Sequence, residues 1–226
     1  MYEYEKTHSK MLKKKIHNLF NNERLRLGTF DEMNVIGNYT DEVRKQNRAL
    51  FRQLYSLSDN FIEETIYSCL KRLKKVSDRS ELNPFLLAIG FSIEKFKEEY
   101  NRTLLFVYEN EFLRKQSLYE EGTIAIGNST SLEMAELQKR NEKSIEAMTR
   151  EMSADAERKV TLKTFEKDGV DMVLWKAALD DRVCEECEEL DGQVFELNEL
   201  PERPHRNCRC EFVKYELENM EEIDDD

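Results

Sequence analysis

Residues Trp175 to Cys210 read WKAALDDRVCEECEELDGQVFELNELPERPHRNCRC, and this stretch decides how the C-terminal part of the chain folds. It holds four of the five cysteines, the only tryptophan and one of three histidines. Cys184 and Cys187 form a C-x-x-C pair, and His205, Cys208 and Cys210 follow as H-x-x-C-x-C. A two-residue gap suits one side of a tetrahedral metal, because a tight turn aims both thiolates at one point. The second cluster supplies the other side. Between them Asp191-Gly192 signals a turn, and Gln193 to Leu197 alternates as a strand does. The expected local object is a small β element stapled by zinc.

Other uses of the cysteines fit less well. A disulfide framework belongs to secreted chains, and Met1-Tyr-Glu-Tyr-Glu has no signal-peptide character, so a reducing compartment is expected. Buried apolar thiols do not suit neighbours such as Asp180, Asp181, Arg182, Glu185, Glu186 and Glu188. A redox C-x-x-C accompanies a βαβ pattern, which the upstream sequence lacks.

Five donors compete for four places. Cys184, Cys187 and Cys208 enter every arrangement, and His205 and Cys210 compete for the fourth. C-x-C in an extended strand separates its sulfurs by ~6–7 Å, from a rise of ~3.3 Å per residue. That is wide for one centre unless the chain bends. His205 is therefore the preferred fourth ligand, with Cys210 the alternative. A closed thiolate-rich shell leaves no open water position, which favours a structural metal over a catalytic one.

The order and spacing of Trp175, Asp180, Arg182-Val183-Cys184, Cys187, Leu190-Asp191-Gly192, Val194-Phe195 and Pro204-His205-x-Asn207-Cys208-Arg209-Cys210 resemble the C-terminal signature of tailed-phage minor head proteins. These are the head-morphogenesis family similar to protein F of phage Mu. The resemblance covers roughly residues 145–215. The family pattern carries Arg-Thr-Glu on a helix before the tryptophan; here Thr149-Arg150-Glu151 stands in altered order. The resemblance implies a low-copy virion component, made in the host cytoplasm and acting inside the head near the portal. It implies portal and capsid proteins as partners, with packaged DNA as a further contact, and a part in head morphogenesis, DNA packaging or ejection.

The rest of the 226 residues reads as helix. Charged residues make up 36% and hydrophobic ones 39%, a balance typical of long helices, and only 7 Gly and 3 Pro interrupt them. No apolar run approaches the length of a membrane span, so no membrane contact is expected. Residues 3–26 carry Met11, Leu12, Ile16, Leu19 and Phe20 near helical spacing, with Lys13-Lys14-Lys15 as a solvated basic face. Leu27-Gly28 ends that helix, Thr29-x-x-Glu32 caps a short one, and Gly37-Asn38 breaks the chain again. From Thr40 to about Val76 an apolar stripe includes Leu50, Leu54, Leu57, Ile62, Ile66, Cys69, Leu70 and Leu73. Cys69 lies on it and reads as core, not as a ligand. Asn83-Pro84 starts a short helix closed by Gly90, and Ser92 caps another that runs to about Glu120.

A hinge is expected at 121–130. Ser129-Thr-Ser131 then opens a helix to about Lys167, sparse in apolar residues, which suits burial along one narrow stripe. Gly169 caps it, Val170–Leu179 and Cys210–Tyr215 are expected strands, and Glu216–Asp226 is an acidic tail. The resulting architecture is mainly α: a helical body (1–125), a connecting long helix (126–168), a small zinc-stapled α+β domain (169–215) and the tail (216–226).

No catalytic constellation is present. There is no phosphate-binding glycine loop, His8 and His17 share no helical face, and no small-molecule substrate is expected. The competing reading is a zinc-ribbon-like nucleic-acid adapter, with a zinc enzyme third. Charge opposes the adapter. Segment 180–202 carries Arg182 as its one base against many acids, and the whole chain is −12. Such a surface repels phosphate, which dominates nucleic-acid affinity.

Overall fold

Scarce breakers and dense helix formers give the architecture expected, mainly α with one small sheet. The structure, a computed structural model, describes residues 10–22, 39–98, 100–105, 109–110, 129–178, 183–205 and 208–215. The expected helix end at Leu27-Gly28, the capping box at Thr29, the break at Gly37-Asn38, the helix end near Glu120, most of the hinge and the acidic tail lie outside these residues. The described chain divides into two packed units, one built from 1–63 with 94–152 and the other from 64–93 with 153–226. Two long helices, Tyr39–Arg72 and Ser129–Lys167, each contribute residues to both.

In the first unit Leu12, Ile16 and Phe20 recur every fourth residue of the helix at 10–22 and are buried. Leu50, Phe51, Leu54 and Ile62 are buried on the Tyr39–Arg72 helix, and Phe96, Tyr100 and Leu104 on the helical segments 93–98 and 100–105. The Lys13-Lys14-Lys15 triplet is exposed, as a solvated face should be. The long helix buries Leu137 and Ile145 together with Thr149. Thr149 Oγ1 donates to the Ile145 carbonyl at 2.8 Å, meets Tyr100 Oη at 2.8 Å and Ser58 Oγ at 3.2 Å. The stripe on this helix is narrow, and hydroxyls complete it where apolar residues are missing.

The second unit contains the sheet. Strands β1 (Met172–Lys176), β2 (Val194–Glu196) and β3 (Glu211–Lys214) lie in the order β2-β1-β3, both pairs antiparallel. The central strand buries Val173 and Trp175 on one face by its period of two. Trp175 stands opposite Phe212 across the β1–β3 ladder, and their rings meet edge to face with centroids 5.1 Å apart. Phe165 from the long helix, Cys187 and Cys208 complete the buried cluster. Ile66, Cys69 and Leu70 are also buried in this unit. Cys69 is a core residue as expected: burial pushes its thiol up to about 12, and it meets the Thr161 hydroxyl at 3.3 Å.

Helix ends set where this unit turns. The long helix stops at Lys167 because Gly169 takes φ +72°, with Val170 N–H reaching the Phe165 carbonyl and Gly169 N–H that of Glu166. That is a Schellman close, as the glycine foretells. The Tyr39–Arg72 helix ends the same way, yet earlier than expected, with Lys74 at φ +57° in the glycine place. No breaker marks that stop in the sequence. Next to the first of these closes, Asp168 accepts from both Lys75 and Lys214 at 2.7 Å. Its carboxylate thereby joins the end of one helix to β3. Among the described residues no helix is long and apolar enough to cross a membrane.

Candidate metal centre

Cys184 takes an extended backbone at the N-cap of a short helix, Glu185–Glu189. Its sulfur accepts from the Cys187 backbone N–H at 3.4 Å, the role an oxygen plays in ordinary caps. This is how C-x-x-C closes here: one helical turn lifts Cys187 to the same side as Cys184. Asp191-Gly192 then returns the chain to β1. Gly192, at φ +76°, donates to the Trp175 carbonyl at 2.9 Å, and the Asp191 carboxylate accepts from Ala177 N–H at 2.7 Å. The turn signal is thus met, though it joins a helix to β2. The helix at Glu185–Glu189 was not foreseen.

Cys187 is the shared centre of two groups. With Cys184 and His205 its ligand atoms all lie within 4.8 Å of one another, and the same holds with Cys208 and Cys210. Cys187 Sγ is 3.3 Å from His205 Nε2 and 3.7 Å from Cys208 Sγ. Bond lengths of ~2.3 Å to sulfur and ~2.0–2.1 Å to nitrogen put the edges of a tetrahedral zinc site at about 3.8 Å and 3.5 Å. The two observed separations lie close to these edges, and the donors form two groups of three that share Cys187, each able to hold a metal ion. All five donors foreseen in the sequence are brought together, and Cys69 stays apart in the core.

The objection to C-x-C assumed a strand. Cys208 to Cys210 precede β3, which begins at Glu211, and both sulfurs come within 4.8 Å of Cys187. The bend required is present, and Cys210 remains geometrically able to serve.

Burial sets the electrostatics. Cys187 and Cys208 are both 2% exposed, whereas His205 is exposed and Cys184 and Cys210 are half-buried. Burial drives the Cys187 thiol well up, helped by hydrogen bonds with Cys184, Cys210 and Cys208. Burial likewise raises Cys210, against the Ala178 backbone, which favours its thiolate. Both shifts favour the neutral thiol at Cys187 and Cys210, so a cation bound there must displace their protons.

One neighbour escaped the sequence reading. Arg158, from the charged long helix, places its guanidinium 4.5 Å from the Phe212 ring centroid and 5.7 Å from that of Trp175. Its Nη2 donates to the Pro201 carbonyl at 3.0 Å. Nothing in a run such as Glu157-Arg158-Lys159 singles it out. The helix motif Thr149-Arg150-Glu151 belongs to the other unit: Thr149 is buried among hydroxyls, and Arg150 pairs with Glu146 one turn back.

Comparison with known proteins adds a family. The model of a family described as Phage Mu protein F like protein matches residues 92–213, more than half of the chain and all five donors. A protein of Haemophilus influenzae, described as uncharacterized, is 31% identical over 104 residues, which is 44% of this chain and 23% of that protein. The chain thus spans less than a quarter of that relative. No solved structure matches.

Proposed function

Because the chain belongs to the Phage Mu protein F-like family, we propose that it is a minor head protein acting in head morphogenesis near the portal. The observation that carries this reading is the position of the Cys187-centred cluster inside the family-matched segment. A small module stapled by metal keeps its shape with little core, and a virion component must keep its shape through packaging.

In this reading Cys184, Cys187, Cys208 and His205 hold one zinc ion, with Cys210 as the alternative to His205. The ion supplies folding energy to 169–215 and no chemistry, because four protein donors leave no place for water. The helical body at 1–125 and the helix at 126–168 serve docking on portal and capsid proteins within the head. Its strongly acidic composition argues against duplex DNA as the main partner.

The test is to assemble particles with the wild-type chain and with Cys187→Ser, purify the heads, and assay them for the protein by mass spectrometry. The wild type should be found in heads at low copy, and the variant should yield heads with altered content or infectivity. Recovery of the wild-type chain only outside particles would defeat the proposal.

A further inference from the structure

Resting on the metal reading above, we propose that Arg158 is the positioning residue of the centre, holding its loop and offsetting the charge of its thiolates. Three observations converge on this side chain. Its guanidinium stacks over both Phe212 and Trp175, within the ~6 Å reach of a cation–π contact. Phe212 follows Cys210 by two residues, and Trp175 stands opposite Phe212 in the sheet. The same group donates to the Pro201 carbonyl, at the start of the segment that delivers His205. One residue from the long helix therefore ties together the chain on both sides of the second ligand cluster.

Charge gives that tie a second purpose. Three thiolates around a divalent ion leave a net charge of −1, and a fourth makes it −2. The sequence around the first ligand pair, with Glu185, Glu186, Glu188 and Glu189, adds negative charge, while Arg203, Arg206 and Arg209 flank the second cluster. Burial, then Arg203, lowers the Arg158 pKa, while Cys208, Asp155 and Cys210 oppose that shift. A guanidinium nevertheless stays protonated in proteins. Arg158 is thus a permanent cation, half-buried against Phe212, two residues from Cys210. Trp175 reports on it, as the only tryptophan of the chain.

The test titrates the full-length protein with Zn2+ against a competing chelator, following metal affinity and Trp175 emission in wild type, Arg158→Gln and Arg158→Lys. Gln keeps an N–H for Pro201 but no charge, and Lys keeps the charge. Residues that orient a metal's ligands typically contribute 10–100-fold in affinity, so Arg158→Gln should bind zinc about 10–100-fold more weakly. Arg158→Lys should stay close to wild type. Wild-type affinity in the Gln variant overturns the inference, as does a loss in the Lys variant equal to that in Gln. Should Arg158→Gln fail to fold, Arg158→Met takes its place: weaker zinc binding than in the Lys variant supports the inference, and wild-type affinity overturns it. A wild-type protein that takes up no zinc defeats the metal reading itself, whereas equal binding in all three defeats only the role of Arg158.

Discussion

Cys187 Sγ lies 3.7 Å from Cys208 Sγ, although 21 residues separate them in the chain. Two buried thiols at that distance, without a disulfide, are held by the β1 pairings on either side. The separation equals the sulfur–sulfur edge of a zinc tetrahedron, about 3.8 Å. Purified protein should accordingly carry about one zinc per chain. Elemental analysis should find it lost in Cys187→Ser and retained in Cys69→Ala, whose sulfur sits in the core. Chelator-free protein with no metal and four freely reactive thiols would end the idea.

The fourth ligand can be ranked. His205 Nε2 is 3.3 Å from Cys187 Sγ, close to the ~3.5 Å sulfur–nitrogen edge of such a site. His205→Ala should release zinc to a chelator faster than Cys210→Ala does. The reverse order would give the place to Cys210, whose bent approach the structure already provides.

The sequence made the donors legible because spacing and chemistry are local: C-x-x-C needs only one turn, and Asp191-Gly192 only one glycine. Alternation at Gln193–Leu197 and, weakly, at Val170–Leu179 pointed to strands there. What stayed hidden was tertiary. Arg158 looks like any exposed arginine until the sheet is folded against it, and Thr149, Ser153, Thr161 and Thr164 look like surface positions. Their burial is possible because hydroxyls such as Thr149 and Thr164 bond carbonyls four residues back. A helix whose buried face is polar carries little apolar periodicity. The stop at Lys74 was equally silent, since a lysine there signals nothing.

That lysine gives a stability test. Lys74 sits at φ +57° in a Schellman close, where a side chain costs roughly 1–2 kcal/mol and glycine nothing. The added freedom of glycine in the unfolded chain takes back part of that gain. Lys74→Gly should raise stability by about 0.5–1 kcal/mol, read from urea unfolding. A decrease would mean that the lysine side chain contributes more than its backbone strain removes.

Asp168 supplies a pH dependence. Hydrogen bonds from Lys214, then Lys75, hold its carboxyl below the usual range, although an acid at a helix C-terminus is otherwise unfavourable. A depressed folded pKa means that the stabilisation is present above the unfolded value of 3.8 and is lost as pH falls through the folded one. Asp168→Asn should therefore cost stability at neutral pH, about 0.5–1 kcal/mol for largely solvated pairs. The gap between the two proteins should close in acid. A difference that persists unchanged below the carboxylate range would assign the effect to shape and not to charge.

The buried hydroxyls around Thr149 test the other unit. Thr149 Oγ1 gives its proton to the Ile145 carbonyl, so it must accept from Tyr100 Oη and from Ser58 Oγ. All three side chains are buried, with Thr149 and Tyr100 at 0% exposure. Thr149→Val keeps the shape and removes the acceptor, leaving a buried hydroxyl donor unmatched, which costs about 1–3 kcal/mol. Thr149→Ser keeps the hydroxyl and loses one methyl, a change of about 0.8 kcal/mol. Urea unfolding should rank wild type above Ser and Ser above Val. If Ser falls as far as Val, packing of the methyl and not the hydroxyl network holds this position.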